Sequence, residues 1–115
     1  GADTCFNEVN KENPILFLST LQEFINKRYE EMPEGSYTTS LFQKGVAKMS
    51  QKVGEEAVET VIEAMANNNS RLIYESSDLL YHLIVLLTSK GLRIEDLAED
   101  LKKRHKVTKD EYPNQ

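Results

Sequence analysis

The residues best placed to do chemistry are acids set inside helical patterns. Glu55, Glu56 and Glu59 form E-E-x-x-E, and Glu75 and Asp78 form E-x-x-D. At about 100° per residue, positions three or four apart on a helix share a face. Glu56 and Glu59 therefore converge, as do Glu75 and Asp78, with Glu55 and Lys52 beside the first pair. Glu56 and Glu59 lie twelve and nine residues before Asn68, and Glu75 and Asp78 lie seven and ten after it. At ~1.5 Å per residue, an antiparallel hairpin about that turn sets the two pairs within about 3 Å of the same height. Four carboxylates facing one another repel unless they are protonated or a cation sits between them. Oxygen donors in that number select a hard ion, Mg²⁺ or Mn²⁺. Solvated surface is the ordinary reading of E-E-x-x-E alone, because Glu is a good helix former. It suits Glu75 and Asp78 less well, since Leu79, Leu80, Leu83 and Ile84 leave only a narrow exposed stripe. Glu63 prolongs the first stripe and reads as solvated surface.

Other polar residues have two readings. Lys44, Lys48 and Lys52 recur every four residues toward Glu56, either to hold phosphates or as plain i,i+4 support. His82, one turn after Asp78, is expected to be buried and satisfied by a neighbour rather than to serve the site directly. Ser36-Tyr37-Thr38-Thr39-Ser40 reads as a hydroxyl-rich loop and a candidate phosphate contact. The run Lys102-Lys103-Arg104-His105-Lys106 complements a helix dipole.

The elements that position these residues follow from periodicity and punctuation. Asn13-Pro14 opens a helix carrying Phe17, Leu18, Leu21, Phe24, Ile25 and Tyr29, which Met32-Pro33-Glu34-Gly35 ends. A second helix is expected from about Gly45 to Ala66. Asn67-Asn68-Asn69 is a turn, Ser70 caps a third helix reaching Lys90, and Gly91 stops it. A short fourth helix carries Ile94, Leu97 and Leu101. Nothing reads as a strand, so the expected class is all-α, with a four-helix bundle-like protomer. From Leu79 to Leu87 the third helix is apolar nearly all round and must be buried on most sides. One thin bundle cannot cover it, so an intertwined homodimer is expected.

The 115 residues suit one domain, expected over residues 14–107 between polar tails at 1–13 and 108–115. With 39% hydrophobic and 29% charged residues, the composition is that of a soluble globular protein. The longest apolar run, Leu79–Leu87, is nine residues interrupted by His82, against the ~18–20 a membrane span needs. The single Cys5 excludes an internal disulfide framework and any Cys-x-x-Cys zinc site, pointing to a reducing, cytoplasmic setting. A net charge of −5 argues against nucleic acid as partner. It leaves room for a phosphate-rich small molecule, because a cation held by carboxylates reverses the local sign.

From Ser36 to His105 the chain resembles the phosphoribosyl-ATP pyrophosphohydrolase family. The resemblance rests on Ser36-Tyr37-Thr38, Leu41, Lys44-Gly45, Lys48, Lys52-Val53-Gly54-Glu55-Glu56-Ala57 and Glu59. It continues through Glu75, Asp78-Leu79-Leu80-Tyr81-His82-Leu83 and Leu86-Leu87 to Gly91. The two acidic motifs alone mark the wider all-α nucleoside-triphosphate pyrophosphohydrolases; the fuller set is much more specific. Ser76-Ser77 departs from the family, standing where alanine-like residues are common. Gly1-Ala2-Asp3-Thr4-Cys5-Phe6 is similar to the end of phosphoribosyl-AMP cyclohydrolase, where such a cysteine binds zinc. A cyclohydrolase is often fused ahead of this family, which implies the C-terminal half of a bifunctional enzyme.

The resemblance implies Mg²⁺-dependent hydrolysis of phosphoribosyl-ATP to phosphoribosyl-AMP and pyrophosphate, in histidine biosynthesis. The helix geometry supplies the site: Glu56, Glu59, Glu75 and Asp78 would hold the metal, with Glu55 the candidate for orienting or deprotonating the attacking water. Lys44 and Lys52 would add positive charge, and Ser36, Tyr37 and Thr38 would close over phosphate or ribose. Cys5 alone, cut from its partner ligands, is expected to hold no zinc. The alternatives are a house-cleaning nucleoside-triphosphate pyrophosphohydrolase with the same metal site, or a non-catalytic Mg²⁺-binding dimerisation module.

Overall fold

The computed structural model describes residues 13–108. The expectations for Cys5, for the segment resembling a cyclohydrolase and for most of the C-terminal tail lie outside the described residues. Among those described there is no strand; five α-helices follow a short 3-10 turn at Pro14–Leu16. They are α1 (Phe17–Glu31), α2 (Tyr37–Lys44), α3 (Val46–Met65), α4 (Asn69–Ser89) and α5 (Ile94–Thr108). The all-α expectation holds, but four helices become five.

The added helix is α2, where a loop was expected. Ser36 is its N-cap, its Oγ accepting from the Thr39 N–H at 3.2 Å. Hydroxyl and β-branched residues make a poor helix by propensity. Tertiary burial overrides this: Thr38, Thr39, Leu41 and Phe42 are all buried. Gly45 ends α2 at φ 95°, in backbone that favours glycine, and α3 begins at the next residue. That break removes Lys44 from the helical stripe expected to run through Lys48 and Lys52.

The turns obey capping chemistry. Asn13 caps the 3-10 turn, its Oδ1 accepting from the Ile15 N–H at 3.0 Å. The first helix ends at Met32 (φ 47°), whose N–H bonds the Arg28 carbonyl. After α3, Asn67 takes φ 58°, its N–H on the Ala64 carbonyl and that of Asn68 on Glu63. This double bond pattern reverses the chain. Asn68, not Ser70, caps α4 through the Arg71 N–H at 3.1 Å. Gly91 repeats the pattern after α4, with bonds to Thr88 and, through Leu92, to Leu87.

The chain divides into two compact units. Residues 25–92 form one, in which α3 and α4 pack as a hairpin with α2 against both. Its apolar centre is Ile25, Leu41, Phe42, Met49, Ile84 and Val85, with the Tyr29 and Phe42 rings 4.7 Å apart. In the other unit, Gln22 Oε1 accepts from the Ile94 N–H at 2.7 Å, and Asp96 accepts from the Arg93 N–H at 2.9 Å. Both bonds satisfy donors at the start of α5. Within a single chain, Leu79, Leu80, Leu83, Leu86 and Leu87 of α4 remain partly exposed.

Candidate active site

The α3–α4 hairpin brings the two acidic motifs together. Glu56, Glu59 and Glu75 offer carboxylate oxygens within 4.8 Å of one another, and Glu56 approaches Asp78 and His82 equally closely. Glu56 thus belongs to both groups and sits at the middle. It is 5% exposed, Glu75 is 4%, and Glu56 Oε1 is buried without a hydrogen-bond partner. Burial, then the charge of Asp78 and the nearby Glu75 carboxyl, pushes the Glu56 pKa up to about 7.

Cations flank the cluster. Lys52 Nζ is 3.5 Å from Glu55 and 3.6 Å from Glu56. Arg71 Nη2 donates to Glu75 Oε2 at 2.7 Å, and its Nε is 4.0 Å from Glu63, which is therefore partly buried rather than solvated. Arg71 also lies over the Tyr74 ring, 4.7 Å from its centroid. Two cations at the edges do not offset the acids, and the unpartnered Glu56 oxygen points to a missing ligand. A hard divalent cation fits this donor set.

His82 stands within the same reach of Glu56, but its ring has other partners. Its Nδ1 bonds the Asp78 main-chain oxygen at 2.8 Å, and the Tyr37 hydroxyl lies 2.7 Å from its Nε2. Both ring nitrogens are taken, and the residue is 3% exposed, a buried histidine satisfied by neighbours. The acids remain the candidate ligands.

The remaining expected residues separate. The Glu55 carboxylate stands outside both groups, nearly half exposed, accepting from Gln51 Nε2 at 2.7 Å. That bond and Lys52 hold its pKa below the usual carboxylate value. Gln51, Gly54, Glu55, Val58 and Glu59 line an open recess of about 620 Å³. A second recess of about 480 Å³ lies at Ser36 and Tyr37 with Thr39 and Gln43. Thr38 is buried instead, its hydroxyl paired with that of Tyr81, fastening α2 to α4. Lys44 is exposed in the last turn of α2. Arg71 was not singled out from the sequence, and Tyr81 entered only within the stretch that carries the resemblance. The i,i+4 spacing of Arg71 to Glu75 was the available signal for one, and nothing local announced the other.

Fold and site together define an all-helical protein with a cluster of acids between two antiparallel helices. Residues 18–105 match the model of the phosphoribosyl-ATP pyrophosphohydrolase family, to which the chain belongs. Over 108 residues it is 67% identical to the histidine biosynthesis bifunctional protein HisIE of Bacteroides thetaiotaomicron, covering 94% of this chain and 53% of that protein. Proteins of the same name match from Photobacterium profundum, 45% identical over 109 residues, and Bacillus subtilis, 43% over 109. Each alignment covers 91% of this chain, and 53% and 52% of those proteins respectively. The chain spans about half the length of the curated relatives it matches. No helix among the described residues is long and apolar enough to cross a membrane.

Proposed function

We propose that this chain adds water across the α–β anhydride of phosphoribosyl-ATP, releasing phosphoribosyl-AMP and pyrophosphate, as a step of histidine biosynthesis. The observation that carries the reading is the convergence of Glu56, Glu59, Glu75 and Asp78 in a chain of this family. These four acids would hold Mg²⁺, or Mn²⁺ in its place. A bound ion supplies positive charge to the triphosphate and to the departing pyrophosphate, the largest expected catalytic contribution.

The chain's own groups do the rest. Lys52, kept charged beside Glu55 and Glu56, adds a fixed cation at the edge of the site. Glu55 stays ionised at neutral pH and accepts a hydrogen from the attacking water, orienting it. Ser36 and Tyr37 border the substrate, and Thr38 supports them through Tyr81. Lys44 reaches the phosphates only from the end of α2. The half-covered leucines of α4 and the exposed Val58, Val61, Ile62, Met65 and Ile73 favour a homodimer that buries them. The relatives' further length accommodates a fused cyclohydrolase, which would act on the product, and a nucleotide pathway of this kind favours a cytoplasmic location.

Turnover of phosphoribosyl-ATP, dTTP and ATP, measured side by side with Mg²⁺, tests the reading. Preference for phosphoribosyl-ATP supports it. Equal or better hydrolysis of dTTP would assign a house-cleaning role instead, and no hydrolysis of any would leave a binding module.

A further inference from the structure

Arg71 stands between two carboxylates, one inside the acidic cluster and one beyond it. Its Nη2 donates to Glu75 Oε2 at 2.7 Å, and its Nε lies 4.0 Å from Glu63 Oε2. The Glu75 side chain is 5% exposed and offers an oxygen within 4.8 Å of Glu56 and Glu59. Glu63 belongs to neither acidic group, lying about one turn beyond Glu59 on α3. The guanidinium also rests over the Tyr74 ring, 4.7 Å from its centroid, while the Arg71 side chain is half exposed at the edge of the cluster. Such a platform holds a planar cation without fixing which carboxylate its fork addresses. Turning from Glu75 to Glu63 therefore needs only rotation of one long side chain.

A divalent cation on the Glu75 carboxylate repels a guanidinium a few ångströms away. Two cations sharing one buried carboxylate weaken each other's binding, and the effect is reciprocal. Glu63 gives the guanidinium a second carboxylate within reach. We propose that Arg71 is an internal counter-ion of the acidic centre, held by Glu75 in the metal-free protein and passed to Glu63 when Glu75 ligates the divalent cation. The inference rests on the metal reading above and adds the residue that sets the affinity. Arg71 steadies the metal-free cluster and weakens its hold on the ion, and Glu63 relieves that competition. An orienting role, with Arg71 fixing Glu75 for the ion, has the opposite signature: its loss would loosen binding about 10- to 100-fold.

Binding of Mn²⁺ to chelator-treated protein, read from the EPR signal of the free ion at fixed pH and ionic strength, tests this without turnover. Arg71→Gln should tighten the Mn²⁺ Kd about 3- to 10-fold, the worth of one partly exposed charge-assisted contact. Free of metal, the same variant should melt about 4–8 °C below the wild type, because Glu75 is left buried among acids without its cation. Glu63→Gln should loosen the Kd about 2- to 3-fold, and should have no effect once Arg71 is already replaced. Plain loss of a negative charge would instead loosen binding equally in both backgrounds. An unchanged or looser Kd for Arg71→Gln, no fall in its metal-free melting temperature, or a Glu63→Gln effect that survives in the double variant overturns the proposal. Arginine side-chain ¹⁵N spectra of the wild type follow the transfer directly, with the Arg71 signals shifting as Mg²⁺ is added. Signals unmoved at saturating Mg²⁺ overturn the proposal even if Arg71 tolerates no replacement. A wild type that binds no Mn²⁺ sinks the metal reading and this inference together. Wild-type binding with no gain in Arg71→Gln sinks this inference alone.

Discussion

Replacing Glu56 by glutamine should stabilise the metal-free protein, and the size of the gain follows from the site. The carboxyl is 5% exposed, with Oε1 unpartnered and Asp78 and Glu75 beside it, and its pKa is raised from 4.5 to about 7. The folded state therefore binds this proton more tightly than the unfolded chain does. Stability from this group is full below the unfolded value near 4.5 and is lost as pH rises through about 7. The complete loss is about 3 kcal/mol, of which roughly 2 kcal/mol falls between pH 5.5 and 8.5. Glu56→Gln keeps the shape and removes the ionisation. At pH 8.5 it should melt on the order of 10 °C above the chelator-treated wild type, and the two should draw together toward pH 5. Excess Mg²⁺ should reverse the order: at about one thousand times Kd it adds roughly 4.1 kcal/mol to the wild type and much less to the variant. Thermal denaturation at fixed protein concentration, with and without chelator across that pH range, reads all of this. A variant as pH-dependent as the wild type, or no more stable at pH 8.5, would refute the argument.

Substitutions at two further positions probe the frame that holds the acids. Asn67 sits at φ 58°, so Asn67→Gly should be neutral or slightly stabilising and Asn67→Val should cost about 1–2 kcal/mol; urea titration measures both, and an equal effect of the two would contradict the turn assignment. Leu83 on α4 is partly exposed in one chain, so Leu83→Asp should abolish the folded dimer. A compact monomer in light scattering for the wild type, or an intact dimer for the variant, would contradict the proposed interface.

The hairpin and its acids were legible because they are local. Helical spacing on each side of Asn67-Asn68 is enough to set Glu56 and Glu59 opposite Glu75 and Asp78, and the convergence about Glu56 follows. The α2 helix was not legible, since Tyr37-Thr38-Thr39-Ser40 has weak helix propensity and is held by the burial of Leu41 and Phe42 and by the hydroxyl of Tyr81. The Ser36 cap was the one local sign of it. A regular Lys44, Lys48, Lys52 spacing misled because Gly45 changes the chain's direction between the first and second. The Tyr37–His82 bond joins residues 45 apart, beyond the reach of any periodic pattern.

The central claim is that the four acids act together on phosphoribosyl-ATP through a divalent cation. Its most direct test is pyrophosphate release from phosphoribosyl-ATP as Mg²⁺ is titrated into chelator-treated wild type and Asp78→Asn. The account predicts no release without the ion. In the wild type, saturable activation should yield pyrophosphate and phosphoribosyl-AMP in equal amounts, while Asp78→Asn stays folded and lacks detectable turnover at the same Mg²⁺. Full turnover by the wild type in excess chelator, or by Asp78→Asn at wild-type rates, would contradict it.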